Sequence, residues 1–102
     1  MNPAGPGNAL GQATVAAYTT VREDIAALVP AQSRRLLDVG CSNGELGAAL
    51  QQRAPGRVVL GIERDEGFAA MASQRLHRVV ATDLDSFRWE DAFGADRFDC
   101  VI

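Results

Sequence analysis

Asp38, Gly40, Ser42 and Gly44 stand at alternate positions in the stretch Arg-Leu-Leu-Asp-Val-Gly-Cys-Ser-Asn-Gly-Glu-Leu-Gly that runs from Arg35 to Gly47. Glycine at 40 and 44 permits positive φ and lets a ligand reach main-chain N–H groups that a Cβ would screen. The chemistry such a turn can do is binding. A second residue suited to the same ligand is Glu63, 23 positions after Gly40. That lies close to the roughly 20-residue offset at which a carboxylate at the tip of a second strand accepts ribose hydroxyls. Its two oxygens suit two neighbouring donors. An acid that merely ends a strand is the competing reading, and the loop upstream favours the ribose.

The spacing also excludes. Neither G-x-G-x-x-G nor G-x-x-x-x-G-K-[ST] is present. Glu45, in the first turn of the helix that Gly44 opens, would repel a phosphate drawn to that helix N-terminus. With its acid two residues before the first glycine, Asp38-x-Gly40-x-Ser42-x-Gly44 resembles the first motif of class I S-adenosylmethionine-dependent methyltransferases, with Ser42 in the middle glycine position. The resemblance implies that S-adenosyl-L-methionine is the cofactor and that the loop of Asp38, Gly40, Cys41, Ser42 and Gly44 wraps its methionine moiety. It assigns the ribose to Glu63, with Arg64 beside it among the cofactor contacts. The adenine amine and a ring nitrogen would fall to Asp83 and Leu84, with Asp85 as an alternative reader.

The same resemblance implies methyl transfer by in-line displacement at the sulfonium, which depends on holding nucleophile and methyl group in line. In that family the general base and acceptor pocket lie at or beyond the end of strand four, so no catalytic residue is named and the methyl acceptor stays open. Two alternatives remain beside it. An NAD-dependent oxidoreductase would share the sheet and the ribose acid but needs the missing glycine fingerprint. A non-catalytic Rossmann-like module would bind a nucleotide or cofactor without chemistry.

The elements that must position these residues follow from periodicity. Residues 1–12 mix proline, glycine and small polar residues and read as a disordered leader, before a domain over 13–102. From Thr14 to Val29 the apolar positions Val15, Tyr18, Val21, Ile25, Leu28 and Val29 predict an amphipathic helix ended by Pro30. Leu36, Leu37 and Val39 predict strand one, and Glu45 to about Arg53 a helix stopped by Pro55-Gly56. Arg57–Glu63 reads as a strand covered on both faces. Asp65 caps a helix from Glu66 to about Leu76 with Phe68, Met71, Ala72 and Leu76 inward. Arg78–Thr82 predicts strand three, 84–96 a polar-aromatic connection with one or two helical turns, and Arg97–Ile102 strand four.

This alternation predicts an α/β fold, a doubly wound Rossmann-like parallel sheet with an N-terminal helix, partial, in the strand order 3-2-1-4. The ligand site then lies at the carboxyl ends of the strands, by the switch point between strands one and four. Strands five to seven of the resembling domain have no counterpart in the sequence, so the chain is expected to be the N-terminal part of a longer enzyme. Its strand-four edge, with one sheet face covered only by 84–96, is expected to promote self-association.

Composition narrows the partners. The 102 residues are 47% hydrophobic, enough for one small core, and carry a net charge of −3 with a pI near 5.0. All ten basic residues are arginine, and no cluster of them forms a nucleic-acid footprint. There is no apolar run of about 18 residues for a membrane span and no N-terminus of secretory type, from which a cytoplasmic location is expected. Cys41 and Cys100 are too few for a disulfide framework and lack zinc spacing, so no metal is expected. Cys41 has no histidine near it in sequence and reads as a small side chain fitting the loop. His77, at a helix-to-strand junction, reads as structural.

Overall fold

The structure, a computed structural model, describes residues 20–102. In chain order its elements are α1 (Glu23–Ala26), β1 (Arg35–Val39), α2 (Glu45–Arg53), β2 (Val58–Glu63), α3 (Glu66–Ser73), β3 (Arg78–Ala81), α4 (Trp89–Phe93) and β4 (Cys100–Val101). The four strands form one parallel sheet in the order β3-β2-β1-β4, as right-handed crossovers require.

Strands β1 and β2 are apolar on both faces because both faces are covered. Leu36, Val59, Leu50, Ala72 and Leu76 make the core beneath α2 and α3, together with Cys41. Glycine is what lets these layers approach. A Cβ on Gly47 of α2 or on Gly61 of β2 would fall against the δ-carbons of Leu76. The Asp65 carboxylate starts α3 by accepting the Phe68 N–H at 2.8 Å, the capping role expected of it.

On the opposite face Leu37, Leu60 and Ile62 are buried under Phe93, with Phe87 and Phe98 packed beside them. The rings meet edge to face, Phe93 to Phe98 at 5.6 Å and Phe87 to Phe93 at 6.5 Å between centroids, an arrangement their quadrupoles favour. The Arg78 guanidinium lies over Phe93 and donates to the Ala92 carbonyl, and both Arg35 and Arg78 pair with Asp96. The 84–96 connection covers this face as expected, joined by Phe98, and it covers it more fully than expected: Leu37 of β1 is 2% exposed, while on β4 Val101 stays open, at 63%.

Other expectations shift. The leader 1–12, Val15 and Tyr18 lie outside the described residues. Within them the first helix spans only Glu23–Ala26, and Leu28, expected on its inner stripe, is 77% exposed because the chain has turned out of the helix there. Met71 is likewise exposed; α3 buries the smaller Ala69 and Ala72 instead, which brings it close to the glycine loop. Strand four is only two residues long. Its approach is set by Asp99, whose carboxylate accepts the N–H groups of Arg34 and Arg35.

Arg57 is buried although it is charged. Its guanidinium donates to four carbonyls, those of Pro30, Ala31, Ser33 and Leu50, at 2.9–3.3 Å. It thereby ties the 30–33 turn to the end of α2. No helix among the described residues is long and apolar enough to cross a membrane.

Candidate active site

Beyond the carboxyl ends of β1, β2 and β3 a cleft of about 340 Å³ is lined by Gly40, Ile62, Glu63, Arg64, Thr82, Asp83, Leu84 and Asp85. Five of the nine candidate residues, Gly40, Glu63, Arg64, Asp83 and Leu84, are thus brought together. Asp38, Cys41, Ser42 and Gly44 are not among the lining residues. They build the loop from behind.

The loop begins where β1 ends. The amides of Gly40 and Cys41 both donate to the Ile62 carbonyl, at 2.8 and 2.9 Å, which holds the turn against β2. Gly40 has φ +75°, and a Cβ there would meet nothing within 4 Å, so its α-carbon faces open space in the cleft. Ser42 also has positive φ, +56°, and its buried Oγ has no hydrogen-bond partner among the described residues. Gly44 has the positive φ expected of it, +86°, and is needed for a further reason. A Cβ there would sit 3.0 Å from the Ala72 α-carbon, so the position serves the packing of the loop on α3.

The loop amides were expected to await a ligand. Several of them are instead engaged within the chain: Ser42 N–H donates to Glu63 Oε1 at 2.8 Å, Gly44 N–H to the Cys41 carbonyl at 3.0 Å, and Glu45 N–H to Asn43 Oδ1 at 3.3 Å. Sequence spacing could not show this, because the acceptors come from β2 and from the turn itself. Glu45, read as a bare negative charge, pairs with Arg75 at 3.2 Å.

Glu63 is 3% exposed, and its second oxygen accepts the Asp65 N–H at 2.9 Å. These two bonds fix the orientation of the carboxylate. Asp38, 5% exposed on the same sheet face, feels both burial and the Glu63 charge, and its carboxyl is pushed up to about 6. Cys41 is pushed up to about 12, by burial first and then by the two acids. Its thiol packs towards Gly61. A thiol so raised is no nucleophile at neutral pH, and the small-residue reading fits its surroundings.

Asp83 is held by its own turn, Oδ1 accepting the Asp85 N–H at 2.9 Å and its carbonyl accepting the Ser86 N–H at 3.1 Å. Asp85 lines the same cleft. Thr82 was missed by the sequence reading, which placed it inside strand three. The strand stops at Ala81, and the rule that ligands meet carboxyl ends would have flagged it. His77 is exposed, and its N–H donates to the Val59 carbonyl.

Residues 20–102 match the family described as methionine biosynthesis protein MetW. The chain belongs to the MetW family. It is 33% identical over 79 residues to trans-aconitate 2-methyltransferase of Delftia acidovorans, covering 76% of this chain and 30% of that protein. Among solved structures it superposes on a TehB-like SAM-dependent methyltransferase from Corynebacterium glutamicum with a TM-score of 0.60 and 26% identity, over 98% of this chain and 54% of the other. The N-terminal domain of EvdMO1, solved with SAH bound, gives 0.59 and 25% over 76% of this chain and 35% of its own. The MetW-family chain therefore has the Rossmann-like fold of class I S-adenosylmethionine-dependent methyltransferases, and it spans 30% of the length of its Delftia relative.

Proposed function

We propose that this MetW-family chain is the cofactor-binding part of a methyltransferase and that its cleft binds S-adenosylmethionine. The observation that carries the reading is the cleft itself. Three carboxylates, Glu63, Asp83 and Asp85, line it with one guanidinium, Arg64, while several amides of the glycine loop are already engaged. A polyphosphate finds few donors there and much like charge. A ligand with ribose hydroxyls, an exocyclic amine and a positive charge finds acceptors.

In this reading Glu63 takes ribose hydroxyls, and Asp83 with Leu84 reads the adenine. Asp38 supplies negative charge beneath the loop that faces the methionine end, and Gly40 leaves room for the ligand. Arg64, at the rim, borders the ribose. When bound, the cofactor supplies an electrophilic methyl group. The chain's own contribution is to orient that donor. SAH, the demethylated product form, is the molecule bound in the EvdMO1 domain, and methyl transfer is the activity named for the Delftia relative.

Titration calorimetry on the 102-residue chain tests the assignment, with S-adenosylhomocysteine expected to bind more tightly than NAD or ATP. NAD binding equal to or tighter than that of S-adenosylhomocysteine would overturn it. For partners, the β4 edge is proposed as a pairing edge for a second copy, because β4 ends the strand order and Val101 is exposed on it; a concentration series in sedimentation velocity that shows monomer throughout would remove that proposal.

A further inference from the structure

We infer that Arg75, at the end of the turn that follows α3, is a positioning residue that clamps the glycine loop in its ligand-receiving shape. Three consecutive loop residues meet this one side chain. Nη1 donates to the Asn43 carbonyl at 2.8 Å, Nη2 pairs with Glu45 at 3.2 Å, and the Arg75 β-carbon lies 3.4 Å from where a Cβ on Gly44 would stand. Arg75 is itself fixed from α2, since its carbonyl accepts the Gln51 side-chain amide at 2.9 Å.

The loop needs such an anchor. Ser42 is held at positive φ with a buried, unpartnered hydroxyl, a conformation that costs energy unless its surroundings impose it. On the β2 side Glu63 restrains it through the Ser42 amide. On the helix side the guanidinium restrains residues 43 and 45. It can do so because its rigid fork reaches a carbonyl and a carboxylate at once, which an ammonium point charge does less well. Arg75 lines no part of the cleft, so it acts through the loop and not on the ligand.

Amide hydrogen exchange on the free chain tests the clamp without any cofactor. Arg75→Met keeps the aliphatic stem against Gly44 and removes the fork. The Ser42, Gly44 and Glu45 amides should exchange about tenfold faster while those of β1 and β2 keep their rates. Arg75→Lys should restore the loop rates to within about threefold of the parent. Glu45→Gln weakens one of the two guanidinium anchors at a half-buried position, so it should raise the loop rates by a smaller factor, and it carries the test if the methionine variant does not fold. Unchanged loop exchange in the folded variants overturns the inference, as does an equal rise across the whole sheet, which would make Arg75 a general stabiliser. A second arm rests on the proposed function: S-adenosylhomocysteine should bind Arg75→Met about tenfold more weakly and Arg75→Lys nearly as well as the parent. Absence of binding to the parent would count against the proposed function and leave the exchange result standing.

Discussion

The Glu63 carboxylate accepts the Ser42 amide hydrogen at 2.8 Å, so the acid that ends β2 is also a strut of the loop that follows β1. The residue read as a ligand contact is at the same time part of the fold. Glu63→Gln replaces one acceptor oxygen with an NH₂ that must face either the Ser42 or the Asp65 N–H. It should therefore lower unfolding stability by about 1–3 kcal/mol as well as weaken cofactor binding. Urea unfolding of parent and variant checks this. Equal midpoints would show that the loop holds without the strut.

Asp38 gives the chain a pH signature. Its folded value of about 6 lies above the ordinary 3.8, so the folded state binds this proton more tightly than the unfolded one. The associated stability is fully present below about 3.8 and is lost as pH rises through about 6, a swing of roughly 3 kcal/mol for a shift of this size. Asp99 works in the opposite sense, since the Arg34 and Arg35 amides lower its value. Comparison with Asp38→Asn isolates the first effect: the parent's stability relative to the variant should fall between pH 4 and pH 7. A difference flat across that range would mean that Asp38 titrates normally.

The two loop glycines should respond differently. Gly40→Ala meets open space and has only its positive φ to accommodate, a cost of roughly 1–2 kcal/mol, while its new methyl group enters the cleft. Gly44→Ala has the same backbone cost and also pushes against the Ala72 backbone at 3.0 Å, so it should be the more destabilising. Thermal unfolding ranks the pair. Equal losses would show that α3 yields to the extra methyl group.

Arg57→Met should cost roughly 3 kcal/mol, because it leaves the carbonyls of Pro30, Ala31, Ser33 and Leu50 without their shared donor. Denaturant titration measures it. A loss below the experimental error would show that water replaces the guanidinium at no cost.

Nothing in the sequence marked Arg57 or Arg75 for these roles: Arg57's partners are carbonyls, which any residue supplies, and Arg75's, the Asn43 carbonyl and the Glu45 carboxylate, lie about thirty positions upstream. Local pattern was enough where a residue's task is local. The runs Leu36-Leu37 and Val58–Ile62 announced strands covered on both sides, Asp65 announced its cap, and the positions of Gly40 and Glu63 announced the carboxyl-end cleft. Pattern failed where the answer depended on which element lay opposite. Met71 looked like a core residue until Ala69 and Ala72 proved to be the buried ones, and nothing local showed that Gly44 also packs against Ala72. The order of elements put the 84–96 connection over Leu37 and Ile62, but how fully it covers them, and that Phe98 joins Phe87 and Phe93 there, was not legible because the three rings have no common period.

β1 pairs with β2 in the next part of the chain, but its other edge is closed by residues that come far later: Cys100 opposite Leu36, and Asp99 on the amides of Arg34 and Arg35. During translation at about 5–20 residues per second, the 64 positions between Leu36 and Cys100 take on the order of 3–13 seconds to synthesise. For that interval the central strand of the nascent chain has one side with no partner of its own, so the speed of the ribosome sets how long β1 is open to chaperones or to mispairing.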